Sequence, residues 1–317
     1  MKEKCFVGFD TSNYTTSVAV CNYAGEIIAN LKTPLAVKEG ERGLRQSDAV
    51  FSHIKNLPLL TDKLSAVLKD GYEPIAVGVS STPRDVEGSY MPCFLSGVAA
   101  AHSFAAALGI KIYEFSHQSG HIMAAAYSSG SADKLLASRF LAFHVSGGTT
   151  EALLVTPRGI SFSEELVGNT LDINAGQLID RVGVAMGLSF PCGIAMEALA
   201  NEFNGKTENA PISVKDGNCN LSGFENKALK LFEKRGDRAE VAAFVFESVC
   251  RTLSAMGEQI TKKYGDMPIL FAGGVMSNRY MRSALSKKFD AYFSEPAFSA
   301  DNAAGISLLC RKEFLSE

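Results

Sequence analysis

One pattern in this chain occurs twice and limits what it can fold into. The apolar run Cys5 to Phe9 ends in the small polar turn Asp10-Thr11-Ser12-Asn13, and a second run, Thr15 to Cys21, follows. Far along the chain, Phe140 to Val145, the turn Ser146-Gly147-Gly148-Thr149 and the run Glu151 to Thr156 repeat the arrangement. Short apolar runs bounded by turn residues read as strands, so each copy is a hairpin. Asp10-Thr-Ser-Asn-Tyr-Thr-Thr thus corresponds in outline to His144-Val-Ser-Gly-Gly-Thr-Thr, and recurrence at long spacing signals an internal duplication. Chance similarity of two short hairpins is the competing explanation. A length of 317 residues suits two domains.

The remaining pattern alternates strands and helices. Glu26 to Leu31 extends the first hairpin into a meander. Asp48 to Leu68 has helical periodicity, with Val50, Ile54, Leu57, Leu60, Leu64 and Leu68 on or near one face and Pro58 expected to bend or split it. Ile75 to Ser80 and Ile110 to Phe115 read as strands. Cys93 to Leu108 and His117 to Tyr127 read as helices, the first stopped by Gly109. Gly130-Ser131-Ala132-Asp133 is the linker candidate, dividing the chain into residues 1–133 and 134–317. In the second part, Asn174 to Met186, Gly193 to Phe203, Phe224 to Glu233 and Ala239 to Lys263 read as helices, and the polar segment 204–222 as a surface insertion. Pro268 to Phe271 and Ala291 to Phe293 read as strands. Ser277 is the expected cap of a helix running to Leu285. The final helix, opening at Asp301, is expected to return to the first lobe. This is an α/β pattern, and hairpins that open two similar lobes resemble the phosphate-binding loops of the actin-like ATPase (ASKHA) fold, with a cleft between the lobes.

Composition closes off several classes. Charged residues make up 21% and hydrophobic ones 46%, which permits a large core and argues against disorder. No apolar run reaches the length of a membrane helix, and the N-terminus is unlike a signal peptide, so a cytoplasmic protein without membrane contact is expected. The seven cysteines are scattered and form no C-x-x-C pair, reading as reduced thiols. With 31 Lys and Arg against 34 Asp and Glu, the bulk charge gives no nucleic-acid footprint, although it leaves room for a local basic patch.

Four stretches could carry chemistry. His117 and His121, at i and i+4, lie on one face of a helix and can reach one metal ion; a pair of surface histidines is the bland reading. Asp301 opens the last helix and by itself reads as an N-cap. In Ser146-Gly147-Gly148-Thr149, paired glycines can present N–H groups to an anion, or simply make a tight hairpin. Gly273, Gly274 and Asn278 lie between a strand and a helix, where a helix N-terminus favours phosphate and Asn278 could bond a base or ribose; a plain tight turn explains them equally. Asp172 can cap the helix from Asn174, and Asp180, two turns on, could take ribose hydroxyls.

In order along the chain, Gly8-Phe-Asp-Thr-Ser, His117-x-x-Gly-His121, Val145-Ser-Gly-Gly, Gly168-x-Thr-Leu-Asp172-x-x-Ala-Gly176-x-x-x-Asp180, Phe190-Pro-x-Gly193, Leu221-Ser-Gly-Phe224, Ala272-Gly-Gly-Val-x-x-Asn278 and Asp301-Asn302 resemble the tRNA threonylcarbamoyladenosine transferases, formerly described as O-sialoglycoprotein endopeptidases. The resemblance runs from about Phe6 to Ile306. It implies that His117, His121 and Asp301 hold one divalent metal, iron or zinc. It implies that Ser146, Gly147 and Gly148 contact phosphate or the metal-bound ligand, with Thr11 and Ser12 in the first hairpin loop. Asp180, Gly193, Gly273, Gly274 and Asn278 would line an adenine nucleotide or adenylate. The implied reaction is metal-assisted transfer of a threonylcarbamoyl group from its adenylate to a tRNA adenosine. The implied partners are tRNA, a subunit of the same fold class and an ATPase subunit.

The departures from the family pattern cluster among polar groups. Asn13-Tyr14-Thr15-Thr16 stands where the family has Cys-Asp-Glu-Thr, Gln118-Ser119 replaces a segment with Glu, Thr149 replaces His, Ile173 replaces the second Asp of a pair, and Gln177 replaces Glu. Thr82 to Gly88 replaces a Gly-Pro-Gly turn. A divergent paralogue fits this pattern. Transfer to a different acceptor, or a non-catalytic nucleotide-binding role, are the alternatives. No H-E-x-x-H or evident triad supports a peptidase.

Overall fold

Both hairpins open five-stranded sheets. The structure, a computed structural model, describes residues 2–12, 14–36, 44–159, 161–298 and 303–317. It divides into one unit of Met1–Ala132, Pro157–Ser163 and Ala297–Glu317 and another of Asp133–Thr156 and Glu164–Pro296.

The first unit contains β1 (Glu3–Ser12), β2 (Thr15–Asn22), β3 (Ile27–Pro34), α1 (Gln46–Lys69), β4 (Tyr72–Thr82), α2 (Phe94–Leu108), β5 (Lys111–Ser116) and α3 (His117–Ser128). Its sheet runs β3-β2-β1-β4-β5, antiparallel from β3 to β1 and parallel from β1 to β5. Both faces of β1 and β2 are covered, which explains their unbroken apolar runs. Helix α1 continues through Pro58 rather than splitting there. Its buried stripe is Ala49, His53, Leu57, Leu60 and Leu64, so His53 faces inward and Ile54, expected in the stripe, is exposed. Gly109, at φ 65°, ends α2 in the left-handed conformation that favours glycine.

The second unit contains α4 (Ala132–Leu136), β6 (Phe140–Val145), β7 (Thr150–Arg158), β8 (Ser161–Asn169), α5 (Ala175–Ala185), α6 (Gly193–Glu202), β9 (Ser213–Lys215), β10 (Asn218–Asn220), α7 (Ser222–Arg235), α8 (Arg238–Tyr264), β11 (Ile269–Ala272), α9 (Arg279–Ser286) and β12 (Ala291–Phe293). Its sheet order, β8-β7-β6-β11-β12, repeats the topology of the first: an antiparallel meander joined to parallel strands. The duplicated hairpin is therefore a duplicated sheet. Segment 204–222 departs from a surface insertion, because β9 and β10 pair there and Ala210, Cys219 and Leu221 enter the core beneath α8.

The last helix, α10 (Ala304–Ser316), belongs to the first unit and packs on β1, β4 and α3. Its approach requires missing side chains. A methyl group on Gly8 would fall 2.6 Å from the Ala303 carbonyl oxygen, and one on Gly305 would fall 1.8 Å from that of Gly120.

Candidate functional site

The metal-ligand candidates start at a strand end. β5 runs directly into α3, whose cap is Ser116: its hydroxyl accepts the Ser119 N–H at 3.1 Å. His117 is thereby the first residue of the helix, and one turn later His121 lies beside it, ring centroids 4.3 Å apart. His117 Nδ1 meets Asp10 Oδ2 at 2.6 Å, and the Asp10 side chain is 1% exposed. A carboxylate on one ring nitrogen fixes tautomer and orientation and reserves the other nitrogen for a metal. Two histidines on one helix face, the first backed by a carboxylate, are part of the donor set that a divalent ion takes. Asp301 lies outside the described residues; just beyond it, Ala303 and Gly305 are packed on β1 and α3. Among the described residues, no group of three His, Cys, Asp or Glu side chains is gathered for a metal.

The first hairpin loop is fixed from behind. The Thr11 hydroxyl donates to the Cys93 carbonyl at 3.0 Å and accepts the Gly97 N–H at 3.0 Å, which joins β1 to α2. Thr11 is fully buried, so its role is to hold the loop rather than contact a ligand. The Ser12 N–H donates to Asp10 Oδ1 at 2.8 Å, while its own hydroxyl is buried without a partner among the described residues. His53 Nδ1 lies 2.9 Å from Thr16 Oγ1, and burial pulls the imidazole below its usual pKa. Neither Asp10 nor His53 stood out in the sequence. Asp10 lies in the first turn and in the Gly8-Phe-Asp-Thr-Ser motif with no sign there of its bond to His117, and His53 falls one residue before the apolar Ile54.

The second unit holds a cavity of about 460 Å³ lined by the β6–β7 turn, α5, α6, α8 and the segments after β11 and β12. Gly147 comes from the β6–β7 turn, Gly176, Ile179 and Asp180 from α5, Gly193, Ile194 and Glu197 from α6, and Gly274, Val275, Ser277 and Asn278 from the segment after β11. Two hydrogen bonds clamp the first two together: Gly176 N–H donates to the Ser146 carbonyl at 3.1 Å and Ala175 N–H to the Thr150 hydroxyl at 2.9 Å. A methyl group on Gly176 would meet Gly147 Cα at 2.6 Å. Gly273 has φ 100° and passes so near β6 that a Cβ would lie 2.2 Å from the Val145 carbonyl oxygen. It shapes the turn, while its neighbour Gly274 lines the cavity. Ser146 and Gly148 are not in the lining. The Ser146 hydroxyl accepts the Gly148 and Thr149 N–H groups at 3.2 and 3.1 Å, the place an anionic oxygen would take in such a turn.

Several expected caps are reassigned. Asn174 and Gln177 form the capping box of α5. Asp172 instead serves α7, accepting from Leu221 N–H at 2.8 Å, Ser222 N–H at 3.1 Å and the Ser222 hydroxyl at 2.6 Å. Burial raises the Asp172 pKa, but these bonds and one from Ile173 N–H outweigh it and bring it down to about 2. Asn278, not Ser277, caps α9: its Oδ1 accepts the Met281 N–H at 2.9 Å, while the residue still lines the cavity. Asp180 Oδ1 accepts the Cys192 N–H at 2.8 Å. Glu197, unremarked in the sequence, accepts the Arg279 N–H at 2.8 Å from the opposite wall. Only its place one turn after Gly193 could have drawn attention to it.

Two carboxylates, Asp180 and Glu197, among apolar walls of Ile179, Ile194, Val275 and Phe246 suit a nucleoside, whose hydroxyls donate and whose base packs on carbon. All seven cysteines are free and buried. Burial pushes the thiols of Cys5 and Cys21 up to about 12 and those of Cys93, Cys219 and Cys250 to about 11. A thiolate nucleophile has no support here. No described helix is long and apolar enough to cross a membrane.

Comparison with known proteins identifies the family. The family model described as tRNA N6-adenosine threonylcarbamoyltransferase matches residues 28–308. Proteins of that name from Thermus thermophilus and Streptococcus suis are similar. The first is 31% identical over 306 residues, covering 95% of this chain and 90% of its own. The second is 27% identical over 330 residues, covering 100% and 94%. Among solved structures, full-length HypF in its phosphate- and nucleotide-bound form superposes with a TM-score of 0.58 at 12% identity, covering all of this chain and 56% of its own. Component A of (R)-2-hydroxyglutaryl-CoA dehydratase from Acidaminococcus fermentans gives 0.52 at 14%, covering 98% of both chains. These neighbours share the actin-like ATPase fold.

Proposed function

Because the chain belongs to the tRNA N6-adenosine threonylcarbamoyltransferase family, we propose that it transfers a threonylcarbamoyl group from the corresponding adenylate to an adenosine of tRNA. The observation that carries this reading is the cavity of the second unit, where glycine turns and two carboxylates surround a volume suited to a nucleoside. Asp180 and Glu197 would accept from the ribose, Gly193 would leave room for it, and Ile194 and Val275 would pack on the adenine. A phosphate oxygen would displace the Ser146 hydroxyl from the Gly148 and Thr149 amides.

His117, His121 and Asp301 would hold one divalent iron or zinc in the first unit, with Asp10 orienting His117. When bound, the ion supplies Lewis-acid polarisation of a carbonyl. A thiolate intermediate has no part in this reading, because burial raises the thiol pKa values. A partner subunit of the same fold class and an ATPase subunit complete the reading, and the exposed apolar residues Phe51, Ile54 and Leu59 of α1 support a partner surface. Transfer to a different acceptor is the second reading, favoured by Thr149, Gln177 and segment 82–88, which depart from the family pattern.

The test supplies the protein with threonylcarbamoyl-adenylate, unmodified tRNA and the partner subunits, and follows modified adenosine by mass spectrometry. Modified tRNA, lost in Asp180→Ala, supports transfer. Consumption of the adenylate with tRNA unmodified moves the conclusion to the second reading, and no consumption at all refutes both.

A further inference from the structure

A second concave surface of the same unit has no part in the chemistry above. It is a groove of about 270 Å³ between α7 and residues 208–210, floored by Ala210, Leu231 and Phe244 and lined by Lys227, Lys230 and Lys234. Spacings of three and four place the three lysines on one helix face. At 1.5 Å per residue they span about 10 Å.

Three of the nearby carboxylates are already paired with arginines, while Glu233, on α7 itself, has no arginine partner among the described residues. Arg181 pairs with Glu225 at 3.2 Å, and Arg235 pairs with Glu208 at 2.8 Å and with Glu240. Glu208 is the carboxylate of the groove lining, and it is held by Arg235. Among the described residues, none of the three lysines has a carboxylate within ion-pair distance. Residues 226–238 carry five Lys and Arg against two Asp and Glu, in a chain whose totals are 31 and 34. With Glu225 and Glu240 at its edges the segment is near balance, so what the fold supplies is a stripe of three lysines on one face of the groove rather than a large net charge.

Helix α7 is also anchored before any ligand arrives, by Asp172 at its start and by the Arg235 pairs at its end. Phe244 floors the groove and Phe246 lines the nucleoside cavity. Two residues along a helix turn through roughly 200°, so groove and cavity lie on opposite sides of α8. A small anion needs donors converging on one point. Three ammonium groups strung along a helix above a carbon floor match successive phosphates of an extended polyanion instead.

We propose that this groove docks the phosphate backbone of the RNA acceptor. The inference rests on RNA being the acceptor, as argued above, but it concerns binding and is tested by binding.

The experiment measures affinity of the full-length protein for unmodified tRNA by fluorescence anisotropy between 50 and 200 mM salt. Three proteins are compared: wild type, Lys227→Gln/Lys230→Gln/Lys234→Gln, and a control of equal charge loss, Lys215→Gln/Lys262→Gln/Lys263→Gln. Each neutralised phosphate contributes a slope of about −0.7 to −0.9 in log K against log salt. The α7 variant should therefore bind more weakly and have a slope shallower by about 2–3. Over this fourfold range, that is roughly 16- to 64-fold less salt sensitivity. The control should keep the wild-type slope. Equal slopes for wild type and the α7 variant, an equal loss in the control, or no binding by wild type would overturn the proposal. Lysine-dependent binding without modified adenosine in the transfer assay would leave the groove standing and remove the transferase reading.

Discussion

Replacing Asp172 by Asn tests whether one carboxylate ties α7 to the rest of the second unit. The side chain accepts four hydrogen bonds at 3.1 Å or less, from Ile173, Leu221 and both donors of Ser222. Asn keeps one oxygen and turns an NH₂ toward the Ser222 N–H, leaving a donor of the first turn unsatisfied. It also removes a negative charge from the helix N-terminus. The fall of the carboxyl pKa from 3.8 to about 2 corresponds to roughly 2.4 kcal/mol. The group is exposed, and solvent screening reduces this to about 1 kcal/mol. Asp172→Asn should then speed amide exchange in residues 221–225 roughly fivefold at pH 7, if these amides exchange by local opening. The sign with pH follows from a depressed folded-state pKa. The stabilisation is complete above the unfolded-state value near 4 and is lost as pH falls toward 2, so the two proteins should converge in acid. No difference in stability or exchange at pH 7, or a difference that persists undiminished at pH 2, refutes the assignment.

Asp10→Asn should lower metal affinity 10- to 100-fold while leaving the histidines in place, as measured by competition with a chromophoric chelator; unchanged affinity would mean that Asp10 does not orient the ligand. Buried His53 has a folded-state pKa below its unfolded value, so its stabilisation is present above about pH 6.5 and declines below it at up to about 1.4 kcal/mol per pH unit. In urea titrations from pH 7.5 to 5, His53→Gln should flatten that decline. Gly305→Ala places a methyl 1.8 Å from the Gly120 carbonyl oxygen. It should cost about 3 kcal/mol, seen as a lowered denaturation midpoint together with weakened metal binding, because α10 must move away from α3.

Where one physical cause dominates, the fold can be read from the sequence. Strands buried on both faces, β1 and β6 above all, appear as plain apolar runs, and the Gly109 stop of α2 follows from its left-handed backbone. Reading failed where tertiary packing chose between local options. Pro58 sits within α1 because the helix is held by its buried stripe on either side. The stripe takes His53 in place of Ile54 because the hydroxyl of Thr16 offers the imidazole a partner. Strand β8 and the β9–β10 pair escaped notice because their residues are largely polar or half-exposed, and their pairing depends on neighbours distant in sequence.

The motif residues divide by what their polar atoms already hold. Thr11 and Asp172 carry family motifs, yet each is occupied by backbone groups of another segment, so these positions maintain the frame of the site. Gly176 and Gly305 act in the same way by omission, since any side chain would push apart segments that must touch. Asp180, Glu197 and Asn278 differ: each gives one oxygen to a backbone amide and still lines the cavity. A sequence shows residue type and spacing but not which lone pairs are taken, and that distinction separates a cap from a ligand. The departures from the family pattern, Tyr14, Thr15, Thr149 and Gln177, leave the framing set intact. They alter polar groups around a preserved scaffold, which is why the fold survives them and why their effect should appear in acceptor choice or rate before it appears in stability.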